Sequence, residues 1–140
     1  MAAPQETARA RWRPVAIAIG ALLVGATGAF VVASLVHFGG VITLGPVTLD
    51  DPFPGAAIPE AIIAFVLGMG AVTVIARRPA RWWVALATTL FALLVTIFGL
   101  TVTVASSRTG DIAYHVTILM VLAVIVGLLL LPPGRQALSG

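Results

Sequence analysis

The segment HFGGVITLGPVTLDDPFPGAAIPE, residues 37–60, is the one long interruption in an otherwise apolar chain. It carries Asp50, Asp51 and Glu60, three of the five acidic residues, and Pro46, Pro52, Pro54 and Pro59, four of the nine prolines. Read as a loop between two membrane spans, it holds most of the acids on one side of a bilayer. The rest of the chain becomes the scaffold that presents it.

Composition supports that reading. The 140 residues are 60% hydrophobic and 9% charged, with a mean hydropathy of +1.12. A soluble domain carries charge on about a quarter of its residues. So few charges cannot cover a surface in water, and lipid is the expected solvent. The absence of cysteine excludes a disulfide framework, thiol chemistry and a Cys-ligated metal. Every basic residue is arginine, and the net charge is +3. The arginines gather at membrane boundaries, so this charge does not imply a nucleic-acid partner. The basic N-terminus precedes an apolar run far longer than a signal-peptide core of ~7–15 residues. It reads as a retained span.

Length and hydropathy predict an all-α, antiparallel four-helix transmembrane bundle. A span needs about 20 apolar residues. The expected spans are 14–37, 57–76, 82–105 and 111–131. They follow an N-terminal tail (1–13) with a disordered or interfacial start, and precede a C-terminal tail (132–140). Pro14 and Pro59 suit first helical turns. RRPAR (77–81) and SSRTG (106–110) are short turns, and Pro132 and Pro133 stop the fourth helix. The outer loop, 38–56, contains two β-rich triplets around Gly45-Pro46, which predict a short hairpin or a stiff linker. Arg9, Arg11, Arg13, Arg77, Arg78, Arg81 and Arg135 fall on one side, and Arg108 on the other. The positive-inside rule then puts both termini in the cytoplasm, with Trp12, Trp82 and Trp83 as an aromatic belt there. The expected location is a bacterial cytoplasmic membrane.

Helix association in lipid favours small residues. Such residues recur at threes and fours on helix one (Ala18, Ala21, Gly25, Gly28) and helix two (Ala57, Ala61, Ala64, Gly68, Ala71). They recur likewise on helix three (Ala85, Thr89, Ala92, Thr96, Gly99, Thr103), with Ala123 and Gly127 on helix four. This is a left-handed seam. It leaves the leucine and isoleucine faces for lipid, a homo-oligomer or a partner membrane protein.

The polar groups converge. Glu60 precedes Arg77 by 17 positions, about 25 Å at ~1.5 Å per residue. His115 stands about as high on helix four, near the outer edge of a ~30 Å hydrocarbon core. His37, Glu60, Asp111 and His115 are the candidates for ligand binding or proton coupling. Asp50, Asp51 and Phe53 are candidates for binding a partner. Each has a structural alternative: Glu60 in a first turn favoured by the helix dipole, Asp111 as N-cap, His37 at a helix C-terminus. His115 lies inside a span and needs a partner, which Asp111 four residues earlier would supply as a carboxylate–histidine pair. Intramembrane ionisable groups are functional candidates by default. His115, Glu60 and His37 would suit zinc or a related divalent ion, and the two histidines would suit haem iron. No motif specifies either cofactor, and no nucleophile stands beside a base.

The stretches AIPEAIIAFVLGMGAV (57–72), ARRPARW (76–82) and DIAYHVTIL (111–119) resemble the DoxX-like group of small four-helix membrane proteins. A glutamate opens a glycine-containing second helix, a short arginine turn follows, and a histidine enters the fourth helix. The resemblance spans most of 14–131; the PFPG loop departs from the group's pattern. It implies a four-helix membrane fold and, because some members join redox or thiol-stress complexes, a role as a partner subunit. It transfers no catalytic residue. The function expected from the residues is a non-catalytic subunit, or a module that binds a small ligand or partner at its outer face. An oligomeric proton-coupled transporter and a metal- or haem-assisted membrane enzyme are the alternatives.

Overall fold

A computed structural model describes residues 3–139, with side chains from residue 12 onward. The side chains of Glu6, Arg9 and Arg11 lie outside the described residues. The elements are α1 (Ala3–His37), β1 (Ile42–Leu44), β2 (Val47–Leu49), α2 (Pro54–Ile75), α3 (Arg81–Ala105), α4 (Thr109–Leu130) and α5 (Pro132–Leu138). Four stretches are long and apolar enough to cross a membrane: Trp12–His37, Pro54–Ile75, Arg81–Ala105 and Thr109–Leu130. The chain is a multi-pass membrane protein. Consecutive long helices run antiparallel, and α1 closes the ring against α4.

Several boundaries differ from expectation, each for a local reason. The N-terminal tail is helical from Ala3, because alanine, glutamine, glutamate and arginine there are strong helix formers. Pro14 therefore lies inside α1 rather than in its first turn. Helix α2 begins at Pro54, whose missing N–H is harmless at a first position. Glu60 thus sits in the second turn, and Pro59 lies in the interior. Helix α4 begins at Thr109, with Arg108 as its N-cap residue. Asp111 is an acid in the first turn, not the cap. The C-terminal tail folds as α5 and tucks against α1, α3 and α4.

The hairpin forms as expected. Ile42 pairs with Leu49, Thr43 with Thr48, and Leu44 with Val47. The two-residue turn places Gly45 at φ +59°, as a type II′ turn requires at its first central position. The pairing puts four aliphatic side chains on one face. Thr43 and Thr48 share the other, their hydroxyls 3.3 Å apart.

The seam is only partly the predicted one. On α3, Ala85, Thr89, Ala92, Thr96 and Thr103 are buried, and on α2 so are Ala57, Ala64 and Ala71. At Gly70 the two helices approach closely: a methyl group there would strike the Thr88 side chain and lie 3.7 Å from Ala85 Cα. On α1 the small residues Ala18, Ala21, Gly25 and Gly28 face outward instead. The core is built from Ile19, Leu23, Ala26 and Phe30, and on α4 from Ile118, Leu122, Ile125 and Leu129. All of these but Ala26 are large, and they keep the rhythm of threes and fours. Their bulk fills the space that the narrow face of α3 leaves, so big meets small across the bundle. Ala123 is exposed.

The arginine end is also more built than a topological charge pattern requires. Trp82 is buried, not a belt residue, and its Nε1 donates to the Leu129 carbonyl at 2.8 Å. Arg81 donates to the Leu138 carbonyl at 3.1 Å and the Ala137 carbonyl at 3.2 Å. The Arg135 guanidinium stacks 5.2 Å from the Trp82 ring centre. Trp83 remains exposed.

Candidate functional site

The acid-bearing end of the bundle is assembled from four segments. Helix α1 stops at His37. The backbone N–H of Phe53 donates to the His37 carbonyl at 2.9 Å, which ties the far end of the loop to the end of α1. The Ser34 hydroxyl donates to the Ala57 carbonyl at 2.8 Å and holds the start of α2 alongside. These bonds bring Glu60 to His37: Nδ1 donates to Glu60 Oε2 at 2.6 Å, with both side chains buried. The opposite ring nitrogen, Nε2, lies 3.6 Å from Asp111 Oδ1. Carboxylates therefore flank the imidazole on both sides, each able to accept from the nitrogen that faces it.

The chain of charges continues to the surface. Arg108 donates to Asp111 through Nε and to Asp51 through a terminal nitrogen. These bonds, that to Asp111 foremost, hold the guanidinium above its usual pKa. Phe53 packs edge-on to His37, with ring centres 5.9 Å apart, and lies under the Arg108 guanidinium at 4.5 Å. Asp51 and Phe53, expected as a surface for a partner, are thus committed to the chain's own network. Asp50 is exposed.

His115 does not make the expected carboxylate pair. Its Nδ1 donates to the backbone carbonyl of Asp111 at 2.7 Å, because the Asp111 carboxylate is already engaged by Arg108 and faces His37. A carbonyl can only accept, so Nδ1 carries the hydrogen and Nε2 of the neutral ring is an acceptor. Its ring packs edge-on to Tyr114 at 5.4 Å, and Tyr114 to Phe30 at 6.1 Å.

Glu60 and His115 do not bond each other, but both line one cavity of about 170 Å³ between the helices. Its other walls are mainly apolar and aromatic, including Phe30, Phe53 and Phe98. Gly99 makes room for the imidazole: a methyl group there would lie 2.9 Å from His115 Nε2 and 3.4 Å from Cδ2. Gly99→Ala is expected to turn the ring and break its bond to Asp111. The ring's NMR shifts would change while helix content by circular dichroism stays that of wild type. Within the cavity wall, Glu60 is only 4% exposed, and among the described residues its Oε1 has no hydrogen-bond partner. The buried Tyr114 hydroxyl also lacks one.

The metal set expected from sequence is not gathered. Among the described residues, the group whose ligand atoms lie within 4.8 Å of one another is His37, Asp51 and Asp111. Glu60 and His115 are not in it. Arg108 bonds both of its carboxylates, giving them the positive charge that a divalent ion would bring. Sequence reasoning missed Arg108 as a member of the site, although its isolation from the other arginines was a signal. It also missed Thr96 and Thr103 as parts of the cavity wall.

Family models, curated proteins and solved structures yielded no match to this chain.

Proposed function

We propose that this multi-pass membrane protein binds a small ligand at the acid-bearing end of its bundle, in the cavity between Glu60 and His115, as a non-catalytic subunit. One observation carries the reading. Glu60 lines a mainly apolar cavity, and its Oε1 is a buried carboxylate oxygen with no hydrogen-bond partner among the described residues. Burial of an unpaired polar group is expensive, and such a group persists where something else supplies its bond. The cavity resembles other ligand sites in being mostly apolar with a few converging polar groups. The arginine pattern favours an orientation with this end outside a bacterial cytoplasmic membrane and both termini within. The positions of Glu60 and His115 also support kinship with the DoxX-like group, in which the chain would serve as a partner or homo-oligomeric subunit.

The test is native mass spectrometry of protein drawn directly from its membrane. Wild type is expected to retain a small molecule that the cavity-filling Ala56→Leu variant loses, at unchanged helix content. Equal retention by both would refute the site. A protease site inserted at residue 50 is expected to be cut from outside intact cells, and cleavage only after lysis would reverse the orientation.

A second reading is proton-coupled transport. It is favoured by the continuous chain from half-exposed Asp51 through Arg108, Asp111 and His37 to Glu60. Towards the arginine end the core holds aliphatic side chains and Trp82, and the buried Thr88 and Thr89 hydroxyls bond backbone carbonyls, so a pathway would run between subunits. Proton flux in liposomes that Glu60→Gln abolishes is its expected signature.

A further inference from the structure

No polar side chain in the cavity wall has a free hydrogen: three have spent theirs elsewhere and the fourth, a carboxylate, has none. The four are Glu60, Thr96, Thr103 and His115. The Thr96 hydroxyl donates to the Ala92 carbonyl at 2.7 Å, and the Thr103 hydroxyl to the Gly99 carbonyl at 2.9 Å. His115 commits Nδ1–H to the Asp111 carbonyl, which leaves Nε2 a lone-pair acceptor. The carboxylate of Glu60 is an acceptor only, and His37 engages one of its two oxygens. The cavity therefore offers acceptors and no side-chain donor. Its occupant must bring the hydrogens.

Charge narrows the class. Asp51, Glu60 and Asp111 contribute three negative charges to the network, while Arg108 contributes one positive charge. Counting His37 as a second cation still leaves one negative charge over. Glu60 is the member of the network that lines the cavity, and its Oε1 has no partner among the described residues. The walls are otherwise apolar, and the aromatic rings of Phe30, Phe53 and Phe98 are suited to a cation. A cavity of ~150 Å³ holds a molecule the size of benzene, and this one is about 170 Å³.

Resting on the binding role proposed above, we infer that the occupant is a primary ammonium on a short apolar body. Its N–H groups bond Glu60 Oε1 and the acceptors around it, and its carbon body fills the aromatic half of the cavity. A hydroxyl has one hydrogen to offer and no charge. A quaternary ammonium has the charge and no hydrogen. Neither meets both conditions. The ammonium is supplied either by a soluble alkylamine or by the ethanolamine headgroup of a lipid.

The full chain in phosphatidylcholine nanodiscs, titrated calorimetrically with n-butylamine, n-butanol and butyltrimethylammonium, separates these chemistries. Saturable one-to-one binding of butylamine is expected, at least tenfold tighter than either analogue. Glu60→Gln is expected to weaken it tenfold or more, and Thr103→Val severalfold; the second variant decides if the first fails to fold. Butanol binding as tightly as butylamine, or amine binding indifferent to both substitutions, overturns the ammonium assignment. If that butanol binding is lost in Ala56→Leu, the cavity remains a ligand site and only the class is wrong. Saturable binding of no probe removes both. Exchange into phosphatidylethanolamine nanodiscs then assigns the source: a weaker apparent affinity for butylamine identifies the headgroup as competitor, and an unchanged one identifies a soluble amine.

Discussion

His37→Leu is expected to destabilise the bundle by roughly 3 kcal/mol, the usual consequence of leaving one member of a buried charged pair alone. The substitution removes the one hydrogen-bond partner that the Glu60 side chain has among the described residues and leaves its buried carboxylate with neither oxygen satisfied. It also takes the imidazole away from Asp111, 3.6 Å from Nε2. The double variant His37→Leu/Glu60→Leu is expected to recover most of that loss. With both groups apolar no buried charge is stranded, and replacement of a whole buried pair by hydrophobic residues is often neutral. Recovery falls short of complete because Asp111 still loses its neighbour, although Arg108 continues to bond it. Detergent-induced unfolding of wild type, both single variants and the double variant closes the cycle. A coupling near zero would mean that the pair is energetically idle, and the geometry at the head of α1 would need another explanation.

Gly134→Ala is expected to release α5 from the bundle. A methyl group at this position would collide with the carbonyl of Leu128 and sit 2.8 Å from its carbonyl carbon. Those atoms belong to the backbone of α4 and have no rotamer with which to yield. Undocking would expose Leu138, now buried, and would break both bonds from Arg81 to the end of α5. Burial of a leucine contributes about 2 kcal/mol, and the two hydrogen bonds to a charged group add to that. The expected loss is roughly 3 kcal/mol, confined to this end. Trypsin reports it directly, since Arg135 lies within α5 and stacks on Trp82. Cleavage after Arg135 should become at least tenfold faster than in wild type, with Trp82 emission shifting as its indole is uncovered. Unchanged proteolysis would show that α4 gives way instead.

The two substitutions probe opposite ends of the bundle, and they differ in how far their environments could be read beforehand. Span number, the apolar character of every long helix, an outer loop expected at 38–56 and a turn signal at Gly45-Pro46 follow from the chain itself; that the loop ends at 53 does not. Lipid tolerates so few charged residues that their placement leaves one arrangement of crossings, and a glycine–proline pair between β-rich triplets allows a tight turn, which the strand pairing realises. That His37, Glu60 and Asp111 would share one end follows from the same counting of rise per residue.

What each of those groups touches was decided only by the packed structure. Spacing of three and four specifies that a helix has a seam but not which of its stripes fills it. On α1 the stripe Ile19, Leu23, Ala26 and Phe30 fills the core, and Ala18, Ala21, Gly25 and Gly28 face outward. Asp111 could have bonded His115 on its own helix. It faces Arg108, three residues before it in the α3–α4 turn, and His37 instead, and the loop anchored by Phe53 holds that guanidinium in place with Asp51 and the Phe53 ring. Helix α5 looked like a tail because seven residues carry no periodicity of their own. Its docking depends on the Arg81 guanidinium of α3, which donates to its last carbonyls, and on a glycine-sized gap against α4, and both exist only once the bundle is in place. Local chemistry determined which residues can enter lipid and where the chain must turn; pairing among the few polar groups is a competition between partners distant in sequence, and only the assembled bundle settles it.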